Sequence, residues 1–291
     1  MHGLTAGTAI SWNNRYNRDT EERRAARLSV EGLTPAAVIT GGSRGIGLAF
    51  ARVFLAWKHT VVLVARSEAE LKSASDALAA TGGQVHTLAC DITSNDAPEQ
   101  ISKALAGFGC YLDVLVNNAA AGLSGKFADA PADQLDNLVG LNLAALTRLT
   151  RAALPAMIAR GDGGILNVAS LGGVVPGPHQ AAYYASKAFV LSLTEAIASE
   201  ISGSGVRVSV VAPGPVGTGF HAAMNADKAR YCLLLPELTA DQVASSGYRG
   251  FTLGQRVIIP GVLYRIFYLA LRLLPHPFSV PLTGWLLKNP K

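Results

Sequence analysis

The chain has 291 residues, of which 49% are hydrophobic and 15% charged, with 30 Gly. That composition excludes native disorder as the main state, and the length suits one large α/β domain or two small ones, with a core stable without staples. The formal charge of +5 lies at one end: residues 221–291 hold eight basic and three acidic residues, leaving 17 of each sign before them, unlike a uniformly basic nucleic-acid binder.

Residues 1–34 are polar, with charges of both signs from Arg15 to Arg27, and read as an extension outside the core, either solvated or with a short exposed helix over 21–28. The amino terminus lacks the apolar core of a signal peptide, and no uncharged apolar stretch reaches the roughly 18 residues of a membrane span. Cys90, Cys110 and Cys232 are odd in number and lack metal-like spacing, so no metal is expected and reduced thiols of a cytoplasmic protein are the simplest reading.

From Ala36 onward, short β-branched runs alternate with Ala- and Leu-rich stretches of helical length. Strands are predicted at 36–40, 61–65, 85–90, 114–117, 164–169 and 206–211, with helices at 46–57, 68–80, 99–108 and 184–202. Continuously apolar strands are what a parallel sheet covered on both faces requires. The alternation therefore argues for a doubly wound α/β sheet with helices on both sides. No repeat or linker interrupts residues 35–222, which read as one domain.

The first strand runs into Thr40-Gly41-Gly42-Ser43-Arg44-Gly45-Ile46-Gly47, followed at once by a helical segment. Glycines there allow a sharp turn and the close approach of a pyrophosphate, which the free N–H groups of the helix start then bind. The second strand ends in Val64-Ala65-Arg66-Ser67, with no carboxylate before Glu68 to hold a free ribose 2′-hydroxyl. Arg66 and Arg44 are instead candidate ligands of a 2′-phosphate, so NADP(H) is expected over NAD(H).

Tyr183 and Lys187 stand four residues apart at the start of a helix, on one face. Ser170 follows the fifth strand, at the sheet edge where α/β proteins bind ligands. A free tyrosine titrates near about 10, and a neighbouring ammonium favours its phenolate. Tyr183 could then take a proton from an alcohol, or give one to a carbonyl oxygen that Ser170 also holds.

These motifs resemble the short-chain dehydrogenase/reductase family over residues 36–222. Thr40 to Gly47 match its Thr-Gly-x-x-x-Gly-x-Gly loop, Tyr183 to Lys187 its Tyr-x-x-x-Lys motif, and Ser170 stands 13 residues before the tyrosine. The resemblance implies a three-layer Rossmann fold with a mostly parallel sheet of about seven strands, here with a helical C-terminal extension. It implies catalysis by Asn142, Ser170, Tyr183 and Lys187, with Asn142 supporting a water that links the lysine to solvent. It places the cofactor against Gly41, Ser43, Arg44, Gly45, Ile46 and Gly47, then Arg66, Asp91, Ile92, Asn118 and Ala119. Tyr183 and Lys187, with Pro213, Gly214, Val216 and Thr218, complete that set. Ala120 departs from the pattern, standing where the family carries glycine. The family commonly forms dimers or tetramers, so a homo-oligomer is implied.

The loop 171–180 is apolar and holds Pro176 and Pro178, which suits a hydrophobic ketone or alcohol, and Phe220, His221, Met224 and residues 231–235 read as a lid. His179 reads as an exposed loop residue, with substrate contact as the other option. The stretch 223–291 reads as lid plus basic amphipathic extension of the same domain. Within it 239–247 forms a capped helix, and Pro275, Pro277 and Pro281 interrupt the uncharged run 273–287, making it a poor membrane-spanning helix. Residues 261–274 place Arg265 and Arg272 on one stripe beside a broad apolar face, open to four readings: packing on the domain, lining the substrate entrance, packing on another subunit, or peripheral membrane contact. The expected protein is an NADP(H)-dependent carbonyl/alcohol oxidoreductase, the alternative a catalytically weak NADP(H)-binding sensor or scaffold that uses its tail for contacts.

Overall fold

The computed structural model describes residues 30–288, so most of the 1–34 extension, including the 21–28 segment, lies outside the described residues. The first strand, β1 (Thr34–Thr40), sits in the middle of the sheet, which is why its last five residues are all buried. It is followed by α1 (Gly45–Ala56), β2 (Thr60–Ala65), α2 (Glu68–Ala79), β3 (Val85–Ala89), α3 (Ala97–Gly107) and β4 (Cys110–Asn117). The second half contains α4 (Ala132–Val139), α5 (Leu146–Arg160), β5 (Gly164–Val168), α6 (Ala181–Glu200) and β6 (Arg207–Val211). Two short helices, α7 (Phe220–Ala223) and α8 (Arg230–Leu234), precede α9 (Ala240–Thr252), β7 (Val257–Ile258), α10 (Val262–Leu273) and α11 (His276–Leu287).

All strand pairs are parallel, in the order β3-β2-β1-β4-β5-β6-β7. Successive side chains of a strand point to opposite faces, and the core divides accordingly. Ala37 and Ile39 pack with Phe50 and Phe54 of α1, Leu71 of α2 and Phe251 of α9. Ala36 and Val38 face Ile101 of α3 with Leu149 and Met157 of α5. This is the three-layer doubly wound arrangement expected.

Several elements go beyond the sequence reading, among them α4 and α5, for which it names no helix. The two-residue β7, which pairs Val257 with Val210 and Ile258 with Val211, is too short to carry a periodic signal. It extends the sheet beyond residue 222, and α9 completes the helical layer against α1, where Arg52 pairs with Asp241 at 2.6 Å. The capped helix over 239–247 runs on to Thr252, with the Thr239–Gln242 capping box in place. The proline-rich 276–287 segment is a helix: Pro277 occupies the first turn, where no N–H is needed.

Candidate active site

A cleft of about 780 Å³ opens at the carboxyl edge of the sheet, lined from the glycine loop through the ends of the strands to residues 213–224. It lies where strand order reverses between β1 and β4, the switch point at which open α/β sheets bind ligands.

After Thr40 the chain takes positive φ at Gly41 (62°) and Gly45 (57°). A Cβ on Gly47 would lie 2.2 Å from the Gly41 carbonyl oxygen, so the loop closes on α1 only with glycine there. Gly41, Ser43, Arg44, Gly45 and Ile46 line the cleft, with Gly47 packed behind them. Arg44 stands at the N-cap of α1 without a side-chain cap bond, which leaves the first-turn N–H groups for an anion. Asn118 and Ala119 also line the cleft, and Asn118 does structural work too: its amide donates to the carbonyls of Thr40 (2.9 Å) and Gly41 (3.1 Å). The Thr40 hydroxyl in turn accepts from the N–H groups of Asn118 and Ala119, so the end of β4 is fastened to the glycine loop.

Arg66 is exposed at the end of β2, and both it and the neighbouring Asp91 and Ile92 line the cleft. Hydrogen bonds from the Thr93 N–H (2.9 Å) and hydroxyl (2.7 Å), helped by Arg66, hold the Asp91 carboxyl below its usual range. The carboxylate that reaches the glycine loop is Glu70, two residues beyond the Glu68 considered from sequence. Its oxygens lie 3.9 Å from Arg44 Nη1 and 2.9 Å from the Ser43 hydroxyl that donates to it. The first turn of α2, capped by the Ser67 hydroxyl accepting from the Glu70 N–H, sets that position.

Tyr183 and Lys187 both line the cleft from the first two turns of α6, and both are buried. Lys187 Nζ donates to the Val168 carbonyl at 2.9 Å and lies 5.7 Å from the centre of the Tyr183 ring. Burial pulls the Lys187 ammonium down to about 8. It pushes the Tyr183 phenol up to about 12, while a hydrogen bond from the Ser170 hydroxyl acts in the opposite sense. Ser170 also caps the turn after β5, its oxygen accepting from the Gly172 N–H at 3.1 Å.

Asn142 stands behind the cleft rather than in its wall. Helix α4 passes into α5 through a π turn, Gly140–Ala145, an insertion that frees backbone groups from the regular ladder. The Asn142 amide binds both backbone groups of Ala121 at 2.8 Å and donates to the Ser186 hydroxyl at 3.0 Å. Ser186 donates to the Tyr183 carbonyl at 2.7 Å. Both amide hydrogens are therefore spent on protein partners, and Asn142 positions the chain after β4 against the helix of Tyr183 and Lys187.

Pro213, Gly214, Val216 and Thr218 form the facing wall. A Cβ on Gly214 would lie 2.4 Å from the Tyr264 ring, so this glycine is required by a buried aromatic of α10. Ala120 lines the cleft, and the following Gly122 lies under the lid, where a Cβ would come within 2.7 Å of Met224 Sδ. Phe220 sets its ring 5.5 Å from that of Tyr183, and His221 Nδ1 lies 2.8 Å from the Tyr231 hydroxyl. Burial lowers the His221 pKa, keeping the ring neutral near pH 7. His179, at φ 70°, lies outside the cleft wall.

The family model for short chain dehydrogenases matches residues 35–229. A ketoacyl reductase, HetN, from a Nostoc strain is 36% identical over 177 residues, covering 61% of this chain and 62% of its own. The chain thus spans less than two thirds of that relative. A short-chain dehydrogenase from Sphingobium yanoikuyae, solved in complex with NADPH, superposes with a TM-score of 0.73 at 31% identity, covering 81% of this chain and 91% of its own. A short chain dehydrogenase/reductase from Burkholderia phymatum, solved with NAD, gives a TM-score of 0.72 at 26% identity over 82% of this chain and 92% of its own.

Proposed function

Because this chain belongs to the short-chain dehydrogenase family, we propose that it is an oxidoreductase interconverting a carbonyl and a secondary alcohol on a hydrophobic substrate. NADP(H) is preferred to NAD(H) in this reading. The observation that carries it is the meeting of Ser170, Tyr183 and Lys187 in one wall of the cleft, with the lysine buried beside the phenol. The glycine cradle and the uncapped start of α1 fit a pyrophosphate, and two arginines that line the same cleft, Arg66 and Arg44, support the 2′-phosphate part of this reading.

A bound nicotinamide supplies or accepts the hydride. The protein's part is to hold the oxygen and move its proton. A phenol pushed up to about 12 is protonated at neutral pH, the form in which Tyr183 can donate to a carbonyl oxygen. Ser170 hydrogen-bonds the same oxygen and fixes its direction. In the reverse reaction the Lys187 ammonium stabilises the phenolate that must take the alcohol proton. Asn142, through Ala121 and Ser186, keeps the two sides in register. Residues 35–222 carry the cofactor and the chemistry, 223–291 form the lid and tail, a homo-oligomer is the working form, and the location is cytoplasmic with peripheral membrane contact through 261–274.

Tyr183→Phe tests this directly. NADPH consumption with a panel of hydrophobic ketones should fall by about a hundredfold or more while NADPH binding, followed by nicotinamide fluorescence, is kept. Unchanged turnover would remove Tyr183 from the mechanism, and a wild type that binds NADPH but turns over no ketone would favour the sensor or scaffold.

A further inference from the structure

The last two helices carry their apolar residues on the outside. On α10, Val262, Ile266, Leu269 and Leu273 follow one another at i, i+4, i+7 and i+11, and are 72%, 60%, 60% and 83% exposed. Tyr264, Tyr268 and Leu271 form the inner stripe, anchored by Tyr264 in the space left by Gly214. A helix whose only partner were its own domain would have these stripes reversed. Arg265 and Arg272, seven residues apart, lie on the border between the stripes; Arg272 donates to the Tyr268 hydroxyl at 2.8 Å.

Helix α11 repeats the pattern. Phe278, Leu282 and Trp285 are exposed at i, i+4 and i+7, while Ser279, Thr283 and Leu287 are buried. Its inner side rests on the candidate substrate loop, where the Thr283 hydroxyl donates to the Pro176 carbonyl at 2.8 Å and Gly284 meets Pro178. Arg230 of the lid helix α8 sits 5.1 Å over the Trp285 ring and donates to the Trp285 carbonyl at 3.0 Å. The apolar exposure therefore continues onto α8 through Leu233 and Leu234.

Charge decides what covers this surface. Residues 242–291 contain six Lys or Arg and no Asp or Glu. A two-fold contact through α10 and α11 would set them against themselves, arginines toward arginines, with no carboxylate after Asp241 to answer them. A bilayer with anionic headgroups answers both features, taking the apolar stripes at the acyl boundary and the arginines at the headgroups. Among the described residues no helix is long and apolar enough to cross a membrane, so the contact is one of lying on the surface.

We propose that α10 and α11 seat on an anionic bilayer, and that the substrate is a membrane-partitioned lipid ketone or alcohol reaching the cleft past α8, α11 and the Pro176–Pro178 turn. The substrate half of this rests on the oxidoreductase reading above; the docking half does not. The experiment uses the full chain and a triple variant, Ile266→Glu, Leu269→Glu and Leu273→Glu, whose sites face water and leave the core untouched. Wild type should float with phosphatidylglycerol-rich vesicles, weakly with phosphatidylcholine vesicles, and lose flotation in high salt, while the variant stays in solution. With NADPH, the variant should lose about tenfold or more activity on a long-chain ketone embedded in the vesicles, yet match wild type on a short water-soluble ketone. Absence of wild-type flotation overturns the docking surface, and so does a lipid-free oligomer that the variant dissociates, which would make this face a subunit contact. Equal activity of the two proteins on the embedded ketone overturns the delivery route. Flotation without turnover of either ketone overturns the oxidoreductase reading and the substrate class with it, while leaving the docking surface standing.

Discussion

Replacing Lys187 by Met separates a lysine kept for chemistry from one kept for stability. Its ammonium is buried, makes one hydrogen bond among the described residues, to Val168, and is pulled from 10.5 to about 8 by burial. At pH 7 the group is still charged, so the folded protein carries the cost of burying it, about 3 kcal/mol by linkage. Between pH 8 and 10.5 the unfolded chain binds more protons than the folded one, so stability rises with pH through that window. The cost is present in full below about 8 and gone above about 10.5. From pH 7 to pH 10 wild type should therefore gain about 2.5 kcal/mol relative to Lys187→Met, because groups common to both proteins cancel. Methionine has similar volume, removes the charge, and leaves the Val168 carbonyl without its donor at a cost of about 1–3 kcal/mol. The variant should thus equal or exceed wild type at pH 7, fall below it at pH 10, and lack turnover at both. Urea unfolding at the two pH values, with NADPH consumption on the same preparations, measures all three. A stability difference that does not change with pH, or a variant much weaker than wild type at pH 7, would refute the reasoning.

The other predictions concern the cofactor end and the tail. Arg66→Asp should weaken NADPH binding by about tenfold or more while leaving NADH within a few-fold. Glu70→Gln, which removes the carboxylate beside Arg44 and Ser43, should shift the NADPH to NADH ratio of dissociation constants the other way. Fluorescence titration with both cofactors reads this, and equal changes for the two would remove the phosphate role. Gly214→Ala should cost about 1–3 kcal/mol, because its Cβ would lie 2.4 Å from the Tyr264 ring. Adding Tyr264→Leu should recover part of that loss in a double-mutant cycle of unfolding, whereas strict additivity would mean the two residues do not meet.

What the sequence made legible is what local chemistry dictates. The inner strands could be read because their central residues are buried on both faces and so run apolar, as in Val61–Val64, while the edge strand β3 is part-exposed and carries His86 and Thr87. The glycine loop could be read because two positions need positive φ and a third has no room for a methyl group. The Tyr183–Lys187 pair could be read because one helical turn alone brings it together. What escaped depends on partners distant in the chain. The π turn at 140–145 leaves no mark in composition, since Asn142 holds its place by bonds to Ala121 and Ser186. Glu70 resembles any solvated helix residue until α2 is laid beside the glycine loop, 27 residues away.

The tail shows the same division, and there it bears on function. Its basic excess and apolar periodicity were visible, but periodicity cannot tell which stripe of a helix faces inward when both are apolar. The deciding contact is Tyr264 over Gly214: one glycine, itself part of the cleft wall, admits the ring that fixes the rotation of α10 and so turns Val262, Ile266, Leu269 and Leu273 outward. The motif at Gly214 points to a cofactor and carries no sign of the Tyr264 ring that packs on it. The same residue thus shapes the cleft on one side and seats the exposed helix on the other. A change at either surface is expected to reach the other through that contact.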